Sequence, residues 1–505
     1  MPRRLALPIL ATLAACPGAD PPFPPYEEPR APAVRCPSAP VLVNGGTNPA
    51  PDPGATCVQA VRDSALPAVS ASATHGWIDL GERTVGEVVP FPVPPGTASI
   101  TVIEQVVDAA ARMTIHFASG STTQTFIEEN AAVVAELRDP AGFLVFTDIR
   151  LGGPSDGSAT PLFFESYAAV TGTLSYPNTS AALEVAASGV AAGDWTVRVG
   201  DYGYECALAG SPDPPAALAG FSCDPPGAGV TPFAQGRYRV FVLTRPAAPT
   251  GSAIPATGTL DVAFHLVDAL APGQLMPVDA ASAPTHAATL RMVDAYAVLL
   301  SQAGLCLGTV TFLDAPDWAR SRFGTGVSDA DGSACGEFSQ LLTLSVPGQR
   351  TLDLFLVPRI GSGSATLGID GTIPGPATVN GTVASGAMVS AANLGAGTCP
   401  AAGGPVDVLR CGSDEVAYIA AHESGHYLGL YHLTEHDGRH WDPLTGTPSC
   451  RTSCSSAEVS PAACARSTTC GGGPNLMFWS FDPLVSRGYL TAEQGQVART
   501  SPLVR

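Results

Sequence analysis

The chain is poor in charge, and poorest in positive charge. Only 14% of its 505 residues are charged, and 44 acidic side chains outnumber 25 basic ones, for a formal charge of −19. A surface of that sign repels phosphate backbones and anionic lipid, which argues against nucleic acid as a partner and against membrane binding through a basic patch. No apolar run is long enough to span a bilayer. The best stretch, Leu5–Ala15, stops short of the roughly 20 residues that a membrane helix needs. Histidine is scarce, at nine residues, and methionine scarcer, at six. A local concentration of either therefore carries information.

What is abundant is Ala, Gly and Pro. Arg3 and Arg4 before the short apolar run read as a targeting segment. It ends Leu13-Ala14-Ala15-Cys16, which resembles a bacterial lipobox. The resemblance implies a signal peptide over 1–15, cleavage before Cys16, and lipid on that cysteine. The protein is then exported and anchored to the cell envelope, at the outer membrane or cell surface, touching membrane only through the anchor or shed from it. The alternative is an ordinary secretory signal with an incidental cysteine. Residues 16–71, rich in Pro and Ala with little periodicity, read as a tether.

Of 13 cysteines, setting Cys16 aside leaves an even number, suited to disulfides in an oxidising compartment. Local pairing predicts Cys36/Cys57, Cys206/Cys223, Cys306/Cys335 and Cys399/Cys411. Cys450, Cys454, Cys464 and Cys470 share one loop, as two disulfides of open connectivity or as a structural zinc site. Arg35-Cys36-Pro37 is faintly like a latency cysteine switch, but its flanks do not match, and a disulfide is the better reading.

The densest chemistry lies in residues 422–432, His-Glu-Ser-Gly-His-Tyr-Leu-Gly-Leu-Tyr-His, and five of the nine histidines fall between His422 and His440. A helix turns once per 3.6 residues, so His422 and His426 share one face and can reach one ion. Glu423 sits beside the first ligand, able to touch a water without binding the metal. Gly429 permits a sharp exit from the helix, after which His432 can return as third ligand. Three protein ligands leave a fourth position open, as a catalytic zinc ion requires. The spacing predicts one Zn²⁺ on His422, His426 and His432, with Glu423 as general base.

This extended pattern resembles the metzincin zinc endopeptidases, and Asn475-Leu476-Met477-Phe478-Trp479 is similar to their methionine turn. A lone Met is otherwise core filler. The sequence departs from familiar branches at Leu433, after the third histidine, and at Trp479. The latter stands where some branches carry a Tyr that assists the transition state, and it makes Trp479 a candidate substrate contact. The eleven-residue run looks most like the pappalysin-like branch. The resemblance implies a protein or peptide substrate and an α/β (α+β) catalytic domain with a mixed sheet, an active-site helix and a Met-turn. Two rivals remain open. One is a gluzincin-type peptidase with a distant acidic ligand, for which Glu458 is available. The other is a surface-anchored binding lipoprotein carrying a vestigial protease fold.

The rest of the chain divides in two. Between 72 and 250, short strand-like runs such as Trp77–Leu80, Ala98–Val102, Met113–Phe117 and Trp195–Val199 alternate with Gly/Pro turns, predicting an all-β sandwich. Gly193–Val199 is similar to the closing strands of bacterial pre-peptidase accessory domains. From 255 to 505, strands at 260–267, 307–313 and 351–357 and a helix at 287–303 give an α/β order ahead of the motif. In metzincins an antiparallel edge strand lines the cleft, and Gly386–Ser390 is the candidate. The motif helix is expected from Asp414 to Leu428, capped by Ser413 or Asp414, with Val416, Ile419 and Ala420 buried. Thr491–Gln494 has the form of a capping box opening a last helix. Asp329-Ala330-Asp331-Gly332 lacks the spaced ligands of a calcium loop, so calcium is unsupported and a turn is expected. His436, Asp437, His440 and Asp442 suit a second metal or, more simply, a solvated loop. His116 and His265 read as structural. Substrate specificity and oligomeric state are not encoded in any motif.

Overall fold

The computed structural model describes residues 31–52, 76–108, 112–119, 122–129, 132–147, 171–201, 221–224, 237–248, 252–267, 278–329, 336–346, 348–361, 366–434, 442–448, 466 and 472–505. Cys16, Cys57, Cys206, Cys335, the four cysteines of 450–470, Glu458, Asp331, His436, Asp437 and His440 lie outside them, as does the side chain of His116. The molecule is a mixed α/β structure with several sheets.

Six strands form the sheet beneath the motif, in the order Val41–Thr47, Leu305–Asp314, Gly258–Leu266, Leu352–Val357, Ala387–Ser390, Gly368–Asp370. All neighbours are parallel except the last pair. Parallel strands are covered on both faces and read as continuous apolar runs, as Leu-Asp-Leu-Phe-Leu-Val over 352–357 does, buried throughout. One face packs against the helices Ala287–Ser301 and Gly412–Tyr427, through Val262, Phe264, Leu354, Met292, Tyr296, Leu299 and Ala417. The other packs against the short helices Asp317–Phe323 and Glu337–Leu342, through Phe323, Phe338, Leu341, Phe355 and Met388.

Two strand expectations are corrected. The 386–390 segment is an inner strand, parallel to Leu352–Val357, and the antiparallel edge is Gly368–Asp370. Three residues beginning with Gly show no alternation, so the true edge is silent in the sequence. At the opposite border, Val41–Thr47 leaves the expected tether and pairs in parallel with Leu305–Asp314. As a largely exposed border strand containing Asn-Gly-Gly, it carries no period-two pattern.

The same pairing overturns two expected disulfides. Val41 lies opposite Thr309, which brings Cys36 to Cys306, and the two are bonded with 5.5 Å between their Cα atoms. This excludes Cys36/Cys57 and Cys306/Cys335, and it removes Cys36 as a free thiol. Local pairing failed because register in a sheet, not chain proximity, set the neighbours. Cys399–Cys411 is bonded as expected.

Between Gly76 and Pro246 the described strands pair antiparallel, interrupted by one short helix, Ser180–Ala186. Two four-stranded sheets share one core, in which Val89, Phe91, Leu137, Trp195 and Val197 meet Ile100, Val102, Leu174, Tyr238 and Val240. A three-stranded sheet joins Arg112–Ser119, Thr122–Glu129 and Phe221–Asp224. This β-rich half rests on the remainder through Ile103, Phe241 and Leu243 packed with Val379, and through Ser99 Oγ donating to the Thr500 carbonyl at 2.6 Å.

Candidate metal centre

The motif helix runs Gly412–Tyr427. Its N-cap is Cys411, with no side-chain cap, so the expected capping by Ser413 or Asp414 is not made. Asp414 instead takes Arg291 of the long helix in a two-pronged pair, Nε at 2.5 Å and Nη2 at 2.6 Å, and also accepts the Asp407 N–H at 2.7 Å. A capping carboxylate and a buried ion-pair partner look alike in sequence, and the tertiary partner won. Ala417, Ala420, Ala421 and Ser424 keep the inward face slim. The long helix then approaches closely enough for a Tyr296 hydroxyl–Ser424 hydroxyl bond of 2.7 Å.

After Tyr427 the chain turns at Gly429, whose φ of +98° is strained for any side chain. The Gly429 N–H reaches the His426 carbonyl and the Leu430 N–H reaches that of Gly425, both at 2.8 Å. This turn brings His432 back to the helix. The three Nε2 atoms then form a triangle with sides of 3.1 Å (His422–His426), 3.1 Å (His426–His432) and 3.3 Å (His432–His422). Tetrahedral coordination at a Zn–N distance of about 2.0–2.1 Å requires ligand nitrogens about 3.3–3.4 Å apart. The observed triangle therefore fits such an ion nearly without adjustment.

The outer nitrogens set the tautomers. His422 Nδ1 donates to the Leu476 carbonyl at 2.6 Å, and His426 Nδ1 to the Leu430 carbonyl at 2.7 Å. A proton held on Nδ1 turns the Nε2 lone pair to the shared centre. Burial, followed by the facing His432 ring, pushes His422 down to about 3. Burial and both neighbouring rings hold His426 well below the usual imidazole range. Neutral imidazoles are what a metal takes. Among the described residues this is the group of His, Cys, Asp and Glu with ligand atoms close enough for one ion.

Leu476 meets the motif through its carbonyl on His422, and the Met477 sulfur packs against Gly425. Met477 is fully buried, its N–H is held by Asn475 Oδ1 at 2.9 Å, and its carbonyl accepts the Leu433 N–H at 3.2 Å. Asn475 is fixed in turn by Gln494 at 3.0 Å, and Gln494 closes the capping box of the last helix, Ala492–Thr500, with Thr491. Leu433 is buried, while Trp479 is half-buried beside Phe478.

Glu423 is buried with the centre and faces the sheet's antiparallel edge. A Cβ at Gly368 would stand 2.2 Å from Glu423 Oε1. Burial pushes the Glu423 carboxyl up to about 8. Asp370, two residues along that strand, is held well above the usual carboxylate range by burial and then by Glu423. Sequence reasoning missed Gly368, Asp370 and the Arg291–Asp414 pair. The strand that carries the first two, Gly368–Asp370, is too short to leave a pattern in the sequence.

His265 is structural as expected, sandwiched between Asp353 at 2.7 Å and Asn48 at 3.1 Å. Asp442 is buried rather than solvated, which corrects the loop reading for that residue. No helix among the described residues is long and apolar enough to cross a membrane.

No family model matches the chain, and neither does any curated protein sequence. Among solved structures the chain is similar to metalloproteinase-II from Bacteroides fragilis at 13% identity and a TM-score of 0.26, over 50% of this chain and 60% of that one. It thus spans about 60% of that protein's length. A family two carbohydrate esterase from Cellvibrio japonicus follows at 11% identity and a TM-score of 0.09, over 56% of this chain and 67% of that one. Neither superposition is close enough to carry an argument, so function rests on the geometry of the centre.

Proposed function

We propose that the chain is a zinc-dependent endopeptidase of metzincin type. The reading is carried by the Nε2 triangle of His422, His426 and His432, whose 3.1–3.3 Å sides suit a tetrahedral ion with one position left for a non-protein ligand. Zinc held there supplies Lewis acidity, which acidifies water and polarises a scissile carbonyl.

The protein's own groups do the rest. Glu423 is the only carboxylate in the eleven-residue window, and it lies buried beside the three imidazoles. It takes the proton of the attacking water and returns it to the leaving amine. Leu476 and Leu430 carbonyls orient two imidazoles, and Met477 fills the space beneath them as the Met-turn residue. The edge strand Gly368–Asp370 offers its free side to an extended peptide, by strand addition. Trp479, two residues past Met477 and beside Phe478, is the further candidate substrate contact. Export and lipid attachment at Cys16 complete the reading and place its protein or peptide substrates outside the cytoplasm. Incorporation of labelled fatty acid, lost in Cys16→Ser, checks that part.

The experiment for the activity pairs metal analysis with casein hydrolysis. The expected result is chelator-sensitive hydrolysis that Glu423→Ala abolishes while zinc is retained. Hydrolysis surviving in Glu423→Ala overturns the assignment.

A further inference from the structure

Three arginines converge where the β-rich half meets the C-terminal segment, and one of them meets no counter-charge among the described residues. Arg245, near the end of the strand Arg237–Pro246, is only 5% exposed. Its register partner is Ser99, which donates to the Thr500 carbonyl. The preceding residue, Arg499, donates Nε to the Pro255 carbonyl at 2.7 Å and Nη1 to that of Ala303. Arg350 donates Nη2 to the Pro502 carbonyl. Carbonyls satisfy donors without cancelling charge. Asp261 acts on Arg350 but is itself paired with Arg505 at 2.5 Å.

Arg245 makes no hydrogen bond or ion pair among the described residues, and its Nη1 is sealed from solvent. A guanidinium does not shed its proton in a protein, so it cannot escape burial by becoming neutral. Burial, Arg499 and Arg350 push Arg245 down to about 10, and burial also lowers Arg350 and Arg499. Among the described residues no carboxylate stands against this guanidinium. An uncompensated buried cation among like charges is stable only if something negative joins it.

We propose that Arg245, with Arg350 and Arg499 beside it, forms a binding site for a small tetrahedral oxyanion of the sulfate or phosphate class, at the seam between the β-rich half and the C-terminal segment. The guanidinium fork matches two oxygens of such an ion, and its depth in the structure excludes a macromolecule. The bound anion braces the last helix, whose Gln494 holds Asn475 beside Met477.

The test is equilibrium dialysis of the full-length, zinc-loaded protein against labelled inorganic sulfate, with ionic strength held constant by chloride. The expected result is saturable uptake of about one sulfate per chain, weakened at least tenfold in Arg245→Leu and in Arg499→Gln, with zinc content unchanged. If both variants fail to fold, the wild type alone decides. Its unfolding midpoint must rise saturably with sulfate over chloride at equal ionic strength. No saturable uptake by the wild type overturns the proposal. So does undiminished uptake by folded variants, which places the anion elsewhere, such as on the zinc.

Discussion

A Cβ built on Gly425 would lie 2.4 Å from the sulfur of Met477. The middle of the histidine motif thus carries no side chain where the buried Met477 sulfur packs. Ala for Gly inside a helix ordinarily stabilises by about 1 kcal/mol. Here the contact reverses the sign, because Met477 is fully buried and its backbone is tied to Asn475. Gly425→Ala is expected to destabilise by about 1–3 kcal/mol and to weaken zinc binding. Urea unfolding with a zinc competition assay checks this, and a more stable variant with unchanged zinc affinity counts against it.

Gly368 stands in the same relation to Glu423, with Cδ and Cγ of the glutamate both 2.7 Å from its hypothetical Cβ. Its backbone lies outside the positive-φ region, so alanine is strained only by that contact. Gly368→Ala is expected to keep zinc and fold but to lower kcat by about 10²-fold, since a displacement of about 1 Å in a catalytic base costs that much. A steady-state kcat equal to wild type contradicts the placement of Glu423 at the reacting water.

The Arg291–Asp414 pair locks the long helix to the start of the motif helix, with side chains 6% and 0% exposed. Removing one partner leaves a buried charge, so Asp414→Ala is expected to cost about 3–5 kcal/mol. Arg291→Met with Asp414→Leu together is expected to recover most of the loss. Chemical denaturation of the three variants reads both effects. A single-variant loss below about 1 kcal/mol shows the pair to be dispensable.

Burial pushes the Asp442 carboxyl up from the ordinary aspartate range to about 7, against Thr447 and Leu444 hydrogen bonds that lower it. A folded-state pKa above the unfolded one means that the folded state binds more protons between those limits. The contribution is full below about pH 4 and is lost as pH rises through 7, by up to about 4 kcal/mol. Thermal unfolding from pH 4 to 8 is expected to fall more steeply for wild type than for Asp442→Asn. Parallel curves remove Asp442 as the cause.

The convergence of three histidines was legible because it depends on spacing within eleven residues and on one glycine turn. The capping box at Thr491 was legible as a local bond pattern. The central strands showed as apolar runs because parallel strands are buried on both faces. What was hidden depends on distant partners. The Cys36–Cys306 bond follows from a strand that crosses to the sheet border, and Asp414 serves Arg291 instead of the helix end. Gly368–Asp370 is too short to show a period. Its role emerges only from the contact with Glu423.

The central claim is that three imidazole nitrogens, and no sulfur, hold one catalytic zinc ion. Zinc K-edge X-ray absorption of the purified protein tests it most directly. The account predicts one zinc per chain with about three imidazole nitrogens near 2.0–2.1 Å and a light fourth neighbour, all lost in His432→Ala. A sulfur shell near 2.3 Å, or a zinc signal that survives His432→Ala, contradicts it.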